Sequence, residues 1–476
     1  MNQKTIKIIA RKELIEIIRD GRFRVIAAIV FALLAVSLAT GWKYFTDMQK
    51  TQAEANAATR RQWENQDEKN PHSAAHFGTY VFKPPSSLAY FDKGVDAHTG
   101  IGVWLEAHKQ NPFLFRPAED NLSVARFGET TAAAVLQLIL PLVVVLLAFG
   151  VFAIERERGT LRQLLSVGIS SREIAVGKSL GAMVAIGLLI APAAVISVLA
   201  LAFASGSSLL LESLPRFGLI LAAYLLYLAI FLFVSLIVSA RANSARGALV
   251  ILLAFWLFNC LIVPRLASDL AERFYPTPSG AEFWATIERD MKDGVDGHNP
   301  ASARTEEFKQ KVLAEYNVTK VEDLPVNFAG LSLQAGEEYG NSVFDRRYGE
   351  LWTIYERQDR FHKFLSVFAP LESIRAISMG VAGTDFAHHR DFARSAEEYR
   401  RMLNRQMNLN LAYNSRSSDK EYKAGKDLWS SVPEFSYTPP TLNEVLRRQI
   451  WNIVLLVGWF LLSGIFAAFA VAKIKT

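Results

Sequence analysis

The chain has 476 residues and a formal net charge of +6, with 51% hydrophobic and 21% charged residues. Its mean hydropathy of +0.17 is too high for an ordinary soluble protein of this size. The charged fraction is too high for a chain embedded in a membrane along its whole length, so the apolar residues must be concentrated in separate stretches. The single cysteine, Cys260, excludes a disulfide framework within the chain and a metal site built on cysteines.

Six apolar stretches are long enough to cross a bilayer, whose core of about 30 Å needs about 20 residues of helix. A single run of this kind is also compatible with a buried helix of a soluble core, but six with almost no internal charge indicate transmembrane helices. The charged leader of the first stretch and its long apolar run predict an uncleaved anchor and not a signal peptide. The fifth stretch is short and stops before Pro264. The six stretches are residues 25–42, 132–154, 181–203, 217–240, 248–263 and 450–471.

The distribution of basic residues predicts which ends of the spans face the cytoplasm. Basic side chains cluster before the first span and after the second, fourth and sixth, which places both termini in the cytoplasm. Residues 46–130 and 267–447 then lie outside, and they contain all eight histidines of the chain. The net positive charge is therefore a property of the cytoplasmic face and not a nucleic-acid signature. The basic residues are Lys4, Lys7, Arg11, Lys12, Arg19, Arg22, Arg24, Arg156, Arg158, Arg162, Arg172, Arg241, Arg246, Lys473 and Lys475.

Residues 1–24 interleave apolar and basic side chains, which predicts an amphipathic helix lying in the membrane interface. A short cytosolic helix is the alternative. The first outer segment, residues 46–130, has turn-rich stretches and β character at residues 78–82, so we expect a compact mixed domain.

The second outer segment, residues 267–447, is predicted to be mainly helical, over residues 281–291, 303–316 and 331–368. The following apolar stretch, residues 371–382, either dips into the outer leaflet or packs in the core of its own segment. We expect the second arrangement because it is the commoner one.

Gly177-Lys178-Ser179 has the sequence that ends a phosphate-binding loop. That loop needs a glycine five residues before Gly177, and Arg172 occupies this position. The motif also leads directly into the third span. We therefore expect no nucleotide site here, and any ATP hydrolysis must belong to another polypeptide.

Residues 155–178 read ERERGTLRQLLSVGISSREIAVGK and follow the second span. Gly159 permits a turn, residues 160–166 form a short helix with leucines on one face, and Gly168 closes it. A short helix parallel to the membrane is a surface that a soluble motor protein can bind. The alternative is an ordinary charged loop between two spans. Within the loop at 155–176, the predicted coupling residues are Glu155, Glu157, Gly159, Thr160, Leu161, Leu164, Leu165, Ser171, Arg172 and Glu173.

The pattern Glu-x-Glu-x-Gly-Thr-Leu-x-x-Leu-Leu-Ser, followed by Ser-Arg-x-Glu-Ile-x-x-Gly-Lys, resembles the coupling-helix region of type-two ABC exporter permeases. Many of those proteins have a proline-containing turn before the Ser-Arg pair, where this chain has Val-Gly-Ile-Ser. The stretch Arg11-Lys12-Glu13-Leu14 with Arg19-Asp20 is similar to the connecting helix of the same family.

The resemblance implies an all-α membrane protein with a connecting helix, a cytoplasmic coupling helix and two extracytoplasmic insertions, the first mixed and the second mainly helical. Its parts are the connecting helix (1–24), the first span (25–45), the first periplasmic domain (46–130), spans two to five (131–266), the second periplasmic domain (267–447) and the sixth span with its tail (448–476).

Residues 72–84 and 382–392 resemble segments of a bacterial permease subfamily with two enlarged outer domains. That subfamily is similar in layout to the permease of nitrous-oxide-reductase maturation. The resemblance implies a non-catalytic permease subunit of the bacterial inner membrane, dimeric with itself or with a related permease. ABC ATPase subunits would supply ATP and Mg²⁺, and the exported substrate is not specified. The alternative is a complex that transmits force to a periplasmic protein without moving a solute.

Two groups of histidines are candidates for metal binding. His72 and His76 are four residues apart and would share one face of a helix, and His388 and His389 lie near Asp385. Imidazole and carboxylate ligands suit Zn or Cu. Histidine pairs are also common as hydrogen-bonding or packing residues, and the sequence fixes no third ligand, so no cofactor is predicted for this chain.

Within the spans, the polar exceptions are Gln137, Asn259 and Asn452, for which we expect helix–helix hydrogen bonds, with a substrate path as the alternative. Pro141 and Pro192 are expected to bend their helices. The predicted spans contain no acidic or basic residue, which argues against a proton-coupled secondary transporter.

Overall fold

The computed structural model describes residues 1–116, 130–204, 207–295, 298–419 and 421–474. Lys475 and residues 117–129 of the first large segment lie outside these ranges. In chain order the helices and strands are α1 (Gln3–Arg19), α2 (Gly21–Glu64), α3 (Pro71–Phe77), β1 (Thr79–Phe82), α4 (Asp96–Thr99), β2 (Gly102–Glu106), β3 (Lys109–Gln110), α5 (Ala132–Glu157), α6 (Thr160–Ser166), α7 (Ser171–Ala204), α8 (Ser207–Arg241), α9 (Ala245–Phe274), α10 (Gly280–Asp293), α11 (Ala301–Glu315), α12 (Phe328–Leu365), α13 (Pro370–Ala382), α14 (Phe386–Asn414), α15 (Lys426–Ser431), α16 (Leu442–Arg448) and α17 (Ile450–Ala472).

Six helices of the described chain are long and apolar enough to cross a membrane, namely α2, α5, α7, α8, α9 and α17. Each contains one of the six stretches predicted from the sequence. The chain is therefore a mainly α-helical, multi-pass membrane protein. α5 and α8 are the most buried of the six, and α2, α9 and α17 are the least buried.

Two spans continue well past their predicted C-terminal ends. α2 continues for 44 residues to Glu64, so the first large segment begins as an extension of the first span. α9 does not stop at Pro264 but passes through a π-helical turn at Phe258–Ile262 and continues to Phe274. The widened turn ends two residues before the proline, whose missing N–H and bulky ring would disturb a regular α-helix.

Pro141 in α5 has the same arrangement, because a π-helical turn at Val135–Ile139 ends two residues before it. The carbonyl of Gln137, four residues before the proline, accepts a hydrogen bond from the hydroxyl of Tyr227 at 3.0 Å. A neighbouring helix thus satisfies a backbone group that the proline leaves without its helical donor.

Both termini and the two short loops lie at one end of the helix bundle, which we call the termini end. Asn2 N donates to Glu173 at 2.6 Å, and Ser171 Oγ donates to the carbonyl of Val471 at 3.0 Å. Arg156 donates to the carbonyl of Ala242 at 2.6 Å, joining the two loops. This same-end arrangement agrees with the predicted layout. The assignment of this end to the cytoplasm stays a prediction from charge.

The two large segments, residues 46–130 and 267–447, pack together at the opposite end. The first contains a three-stranded antiparallel sheet in the order β1–β2–β3, which confirms the predicted β character of residues 78–82. The second is helical and is built around α12 packed against α14. α14 also packs on α3 and β2, and Trp63 donates from Nε1 to the carbonyl of Trp429 at 2.8 Å. The segments therefore form one body.

A buried ionic cluster joins the helices of this body. The guanidinium of Arg400, 1% exposed, donates to Glu397 at 2.8 Å and to Glu337 at 3.2 Å. It also donates to Asn341 and to the carbonyl of Glu106. A charge removed from water needs such partners, because burial without them is strongly unfavourable.

The apolar stretch at residues 371–382 is predicted to pack in the core of its own segment, and this prediction is wrong. It forms α13, which packs mainly against the spans α8 and α17. Leu371, Ile374 and Ile377 belong to the same hydrophobic core as the spans. The physical reason is that α13 has buried side chains on several faces, and the ends of α8 and α17 cover it from more than one side.

Candidate functional site

The short helix α6, between the spans α5 and α7, is present at the predicted residues. It is preceded by Gly159 with φ +73° and followed by Gly168 with φ +85°. Both values lie in the left-handed region, where a side chain would be strained and glycine is not. Two sharp turns therefore set α6 off from the spans on either side.

α6 has one face against the spans and one face open. Leu161 is buried, and Leu164 and Leu165 are half-buried against the core of the spans. The predicted leucine face thus points into this protein. Val167, just after the helix, is 73% exposed, and Arg162 is also exposed. The open face is made by Arg162, Gln163, Ser166 and Val167.

Lys178 joins three helices beneath this loop. Its Nζ donates to Glu155 at 2.6 Å and to the carbonyl of Val151 at 3.3 Å, and it lies 3.8 Å from the carboxylate of Glu13. Thr160 also donates to Glu155. The lysine of the Gly-Lys-Ser motif therefore forms ion pairs that join α1, α5 and α7.

The glycine of the same motif is explained by close helix packing. A Cβ atom at Gly177 would lie 2.6 Å from the Cβ of Ile9, and one at Gly181 would lie 2.8 Å from the carbonyl oxygen of Ala10. α1 therefore crosses α7 at a distance that only glycine permits. Its predicted amphipathic character is observed, since Ile17 packs into the core while the basic side chains face outward.

Three of the remaining predicted coupling residues, Glu157, Ser171 and Glu173, bond the loop to neighbouring segments of the termini end. Glu173 accepts hydrogen bonds from the backbone N–H of Asn2 and of Ser170, at 2.6 and 3.0 Å. Glu157 accepts one from the backbone N–H of Ala245 at 2.9 Å. Arg172 is exposed.

Sequence reasoning missed Lys178 and Arg156 as anchors, and it missed the open face of α6. The helical period of 3.6 residues would have identified that face, because Arg162, Gln163 and Ser166 lie opposite the leucines. No local pattern identifies the anchors, since their partners are distant in the sequence.

The histidines behave differently in the two predicted groups. His72 and His76 lie on α3 and are joined by His108, which the sequence analysis did not select. One ring nitrogen of each lies within 4.8 Å of the others. Burial lowers the pKa of His72.

The group around Asp385 has a structural arrangement. Asp385 accepts from the backbone N–H of His388 at 3.0 Å and caps the start of α14, and its side chain bonds Nδ1 of His388 at 2.6 Å. His389 is buried against the ring of Phe113, and burial lowers its pKa to about 3. Among the described residues, these three do not form a converging set of metal ligands.

Of the three predicted polar positions within the spans, Gln137 makes the expected hydrogen bond between helices. Gln137 donates to the hydroxyl of Tyr224 at 2.8 Å, and that hydroxyl donates to Ser378 at 3.0 Å. Ser378 donates to Asp92 at 2.5 Å, and burial raises the pKa of Asp92. The chain of bonds connects α5 and α8 with both large segments.

Asn452 donates to Gln449 at 2.7 Å, and Asn259 donates to the carbonyl of Phe255 at 3.0 Å within its own helix. These two side chains therefore bond locally, within or next to their own helices.

Residues 280–438 match the model of a protein family described as a domain of unknown function, DUF3526. The match lies within the second large segment, from α10 to beyond α15, and covers one third of the chain. No curated protein is significantly similar to the chain.

Proposed function

We propose that this chain is the permease subunit of an ATP-binding-cassette export complex of the bacterial inner membrane. The observation that carries the proposal is the arrangement of α6 at the termini end of the bundle. A short helix with an outward-facing open surface is held there between two spans, and its base is tied to α1 through Lys178. Such a device is suited to receiving force from a soluble partner, and the family resemblance of residues 155–178 supports the same role.

In this proposal a separate ATPase subunit binds ATP and Mg²⁺ and also binds the open face of α6. The leucines on the inner face press on the core of the spans, and Lys178 links the movement to α1, α5 and α7. The bundle then changes between two packed arrangements, as expected for interlocked helices that do not deform continuously. The termini end is cytoplasmic and the large segments are periplasmic.

The complex would contain two permease subunits, either two copies of this chain or this chain with a related one. Only 22 to 28% of the apolar windows of α2, α9 and α17 is buried, against 61 to 67% for α5 and α8. The exposed faces of these three helices leave room for both lipid and a second permease. The exported substrate stays unassigned.

The test is made on the native complex, purified in detergent and reconstituted in vesicles. Arg162→Glu combined with Val167→Glu should lower co-purification of the ATPase and its hydrolysis rate by at least about 10-fold. These side chains are exposed, so the variant should still insert and fold. Lys473→Glu, the same charge reversal as Arg162→Glu at an exposed site of the same end, is the control and should have little effect. A double variant with parental ATPase binding and hydrolysis would refute the role of α6.

One observation favours a second candidate, force transmission without transport. The hydrogen-bond chain from Gln137 through Tyr224 and Ser378 to Asp92 connects the spans to the large segments. An ATP-driven movement of the spans would thereby reach the outer body. In vesicles, ATP-dependent change in protease sensitivity of the large segments without any solute flux would favour this function over export.

A further inference from the structure

Three histidines converge at the surface of the body formed by the two large segments. His72 and His76 are one helical turn apart on α3, and His108 lies in the tight connection between β2 and β3. The ring centroids are 4.7 to 5.0 Å apart, and Nε2 of His72 lies 3.2 Å from Nε2 of His108. Two nitrogens bound at about 2.0–2.1 Å to one tetrahedral Zn²⁺ would lie about 3.3 Å apart. The rings are therefore already spaced as ligands of one ion.

The opposite ring nitrogens of two of these histidines are held by polar groups of the second large segment. Nδ1 of His108 lies 2.6 Å from the carboxylate of Glu337, and Nδ1 of His72 lies 2.8 Å from the amide oxygen of Asn408. Both partners are acceptors, so a proton on each Nδ1 satisfies them and leaves each Nε2 available as a metal ligand. Two nitrogens that face each other across 3.2 Å share either a proton or a metal ion, because two bare lone pairs would repel. A carboxylate or carbonyl behind each imidazole is also the usual support of a metal-binding histidine.

The backbone of His108 is also fixed from the second large segment. It has φ +64°, a left-handed conformation of the kind that two-residue turns between antiparallel strands require. Glu337 holds this conformation, because it also accepts from the backbone N–H of His108 at 2.7 Å. Glu337 is itself buried, 4% exposed, and is fixed by Arg400 at 3.2 Å. The position of His108 is thus set by the buried ionic cluster of the second segment.

We propose that His72, His76 and His108 bind a zinc-class divalent ion, with Glu337 and Asn408 as positioning residues. His72 and His108 would bind through Nε2, and His76 through one ring nitrogen. His76 and His108 are exposed, so solvent has access and the fourth coordination position is free for water or another ligand. The ligands come from the first large segment and their supports from the second, so a bound ion would strengthen the contact between them. The inference does not depend on the proposed function.

The test uses the full-length chain in detergent, stripped of metal with a chelator and titrated with Zn²⁺ against a chromophoric competitor. We expect about one Zn²⁺ per chain. His76→Ala and His108→Ala should each weaken binding by at least about 100-fold. Glu337→Gln keeps the side-chain shape and should weaken binding by about 10- to 100-fold, the effect of losing a supporting group. His98→Ala removes an exposed histidine of the same segment outside the cluster and should bind Zn²⁺ as the parent does.

A second measurement separates loss of ligand from loss of fold. Zn²⁺ should raise the thermal unfolding temperature of the parent and of His98→Ala, but not that of His76→Ala. Without metal, His76→Ala should unfold at the temperature of the parent, because His76 is exposed. Absence of stoichiometric Zn²⁺ in the parent, or equal affinity in the parent and both alanine variants, would overturn the proposal.

Discussion

Lys178 illustrates how a residue of a suggestive motif acquires its role from distant partners. In the sequence it belongs to Gly-Lys-Ser, and the missing upstream glycine argues against a phosphate site. In the structure it lies between carboxylates of α1 and α5, at 3.8 and 2.6 Å. A buried ammonium is stable only with such partners. At the residue scale, the sequence argued against phosphate binding by Lys178. Its ion-pairing role depends on carboxylates from elsewhere in the chain.

His389 supplies a prediction at the same scale. Burial lowers its pKa to about 3, whereas a histidine in the unfolded chain has a pKa of about 6.5. Its folded-state pKa is depressed, so its contribution to stability is present above pH ~6.5 and is lost as the pH falls towards 3. We expect His389→Phe to reduce the pH dependence of the unfolding free energy in this window, by up to about 1.4 kcal/mol per pH unit.

The measurement is chemical denaturation in detergent between pH 4 and 7.5. His98→Phe, at an exposed site, is the control and should retain the parental slope. If the unfolding free energy of His389→Phe changes with pH as steeply as that of the parent, the buried neutral imidazole does not cause the loss of stability in acid.

At the scale of elements, helix packing explains features that composition does not. Both π-helical turns end two residues before a proline, at Pro141 and Pro264, so each span continues past a residue that normally ends a helix. α13 was expected in the core of its own segment, and it packs instead among the ends of the spans. In each case the local sequence specified an apolar helix, and the neighbours available for packing decided its course.

The contact between α1 and α7 gives a prediction for an element. Gly177→Ala introduces a Cβ 2.6 Å from that of Ile9, so either α1 moves or the contact is strained. We expect a loss of about 1–3 kcal/mol in stability and weaker protection of α1 amides against hydrogen exchange. Gly187→Ala is the matched control in the same helix, because nothing lies within 4 Å of its added Cβ. Parental exchange of α1 in Gly177→Ala would contradict the close crossing.

At the scale of the whole molecule, the chain has two parts, a six-helix bundle and an outer body made from two segments far apart in the sequence. Arg400 is central to the body, because it contacts α12, its own helix α14 and the end of β2. Removing one partner from a buried ionic cluster leaves uncompensated charge.

The corresponding prediction is that Arg400→Met destabilises the outer body by about 3–5 kcal/mol, because Glu337 and Glu397 lose their buried partner. Arg346→Met is the control, since Arg346 pairs with Glu350 at the surface, where an ion pair contributes about 0–1 kcal/mol. Limited proteolysis of the large segments during chemical denaturation measures both. Equal resistance of the two variants would show that the cluster is not what holds the body together.

Much of the architecture follows from the sequence alone. Runs of about 20 apolar residues predicted all six spans, because backbone groups in lipid require complete helices. The glycines at 159 and 168 predicted the short helix α6, and helical periodicity predicted α10, α11 and α12 to within a few residues. These features depend on interactions between residues close in the chain, which a sequence displays directly.

The tertiary structure decided what depends on residues far apart. His108 joins His72 and His76 only because β2 and β3 pack beside α3, and Glu337 and Asn408 reach them from helices more than 200 residues later. The open face of α6 and the anchors beneath it likewise depend on how four distant parts of the chain meet at the termini end. Local patterns determine which segments are helices and which of these cross the membrane. Long-range packing determines which side chains share a site, because such contacts leave no periodic signal in the sequence.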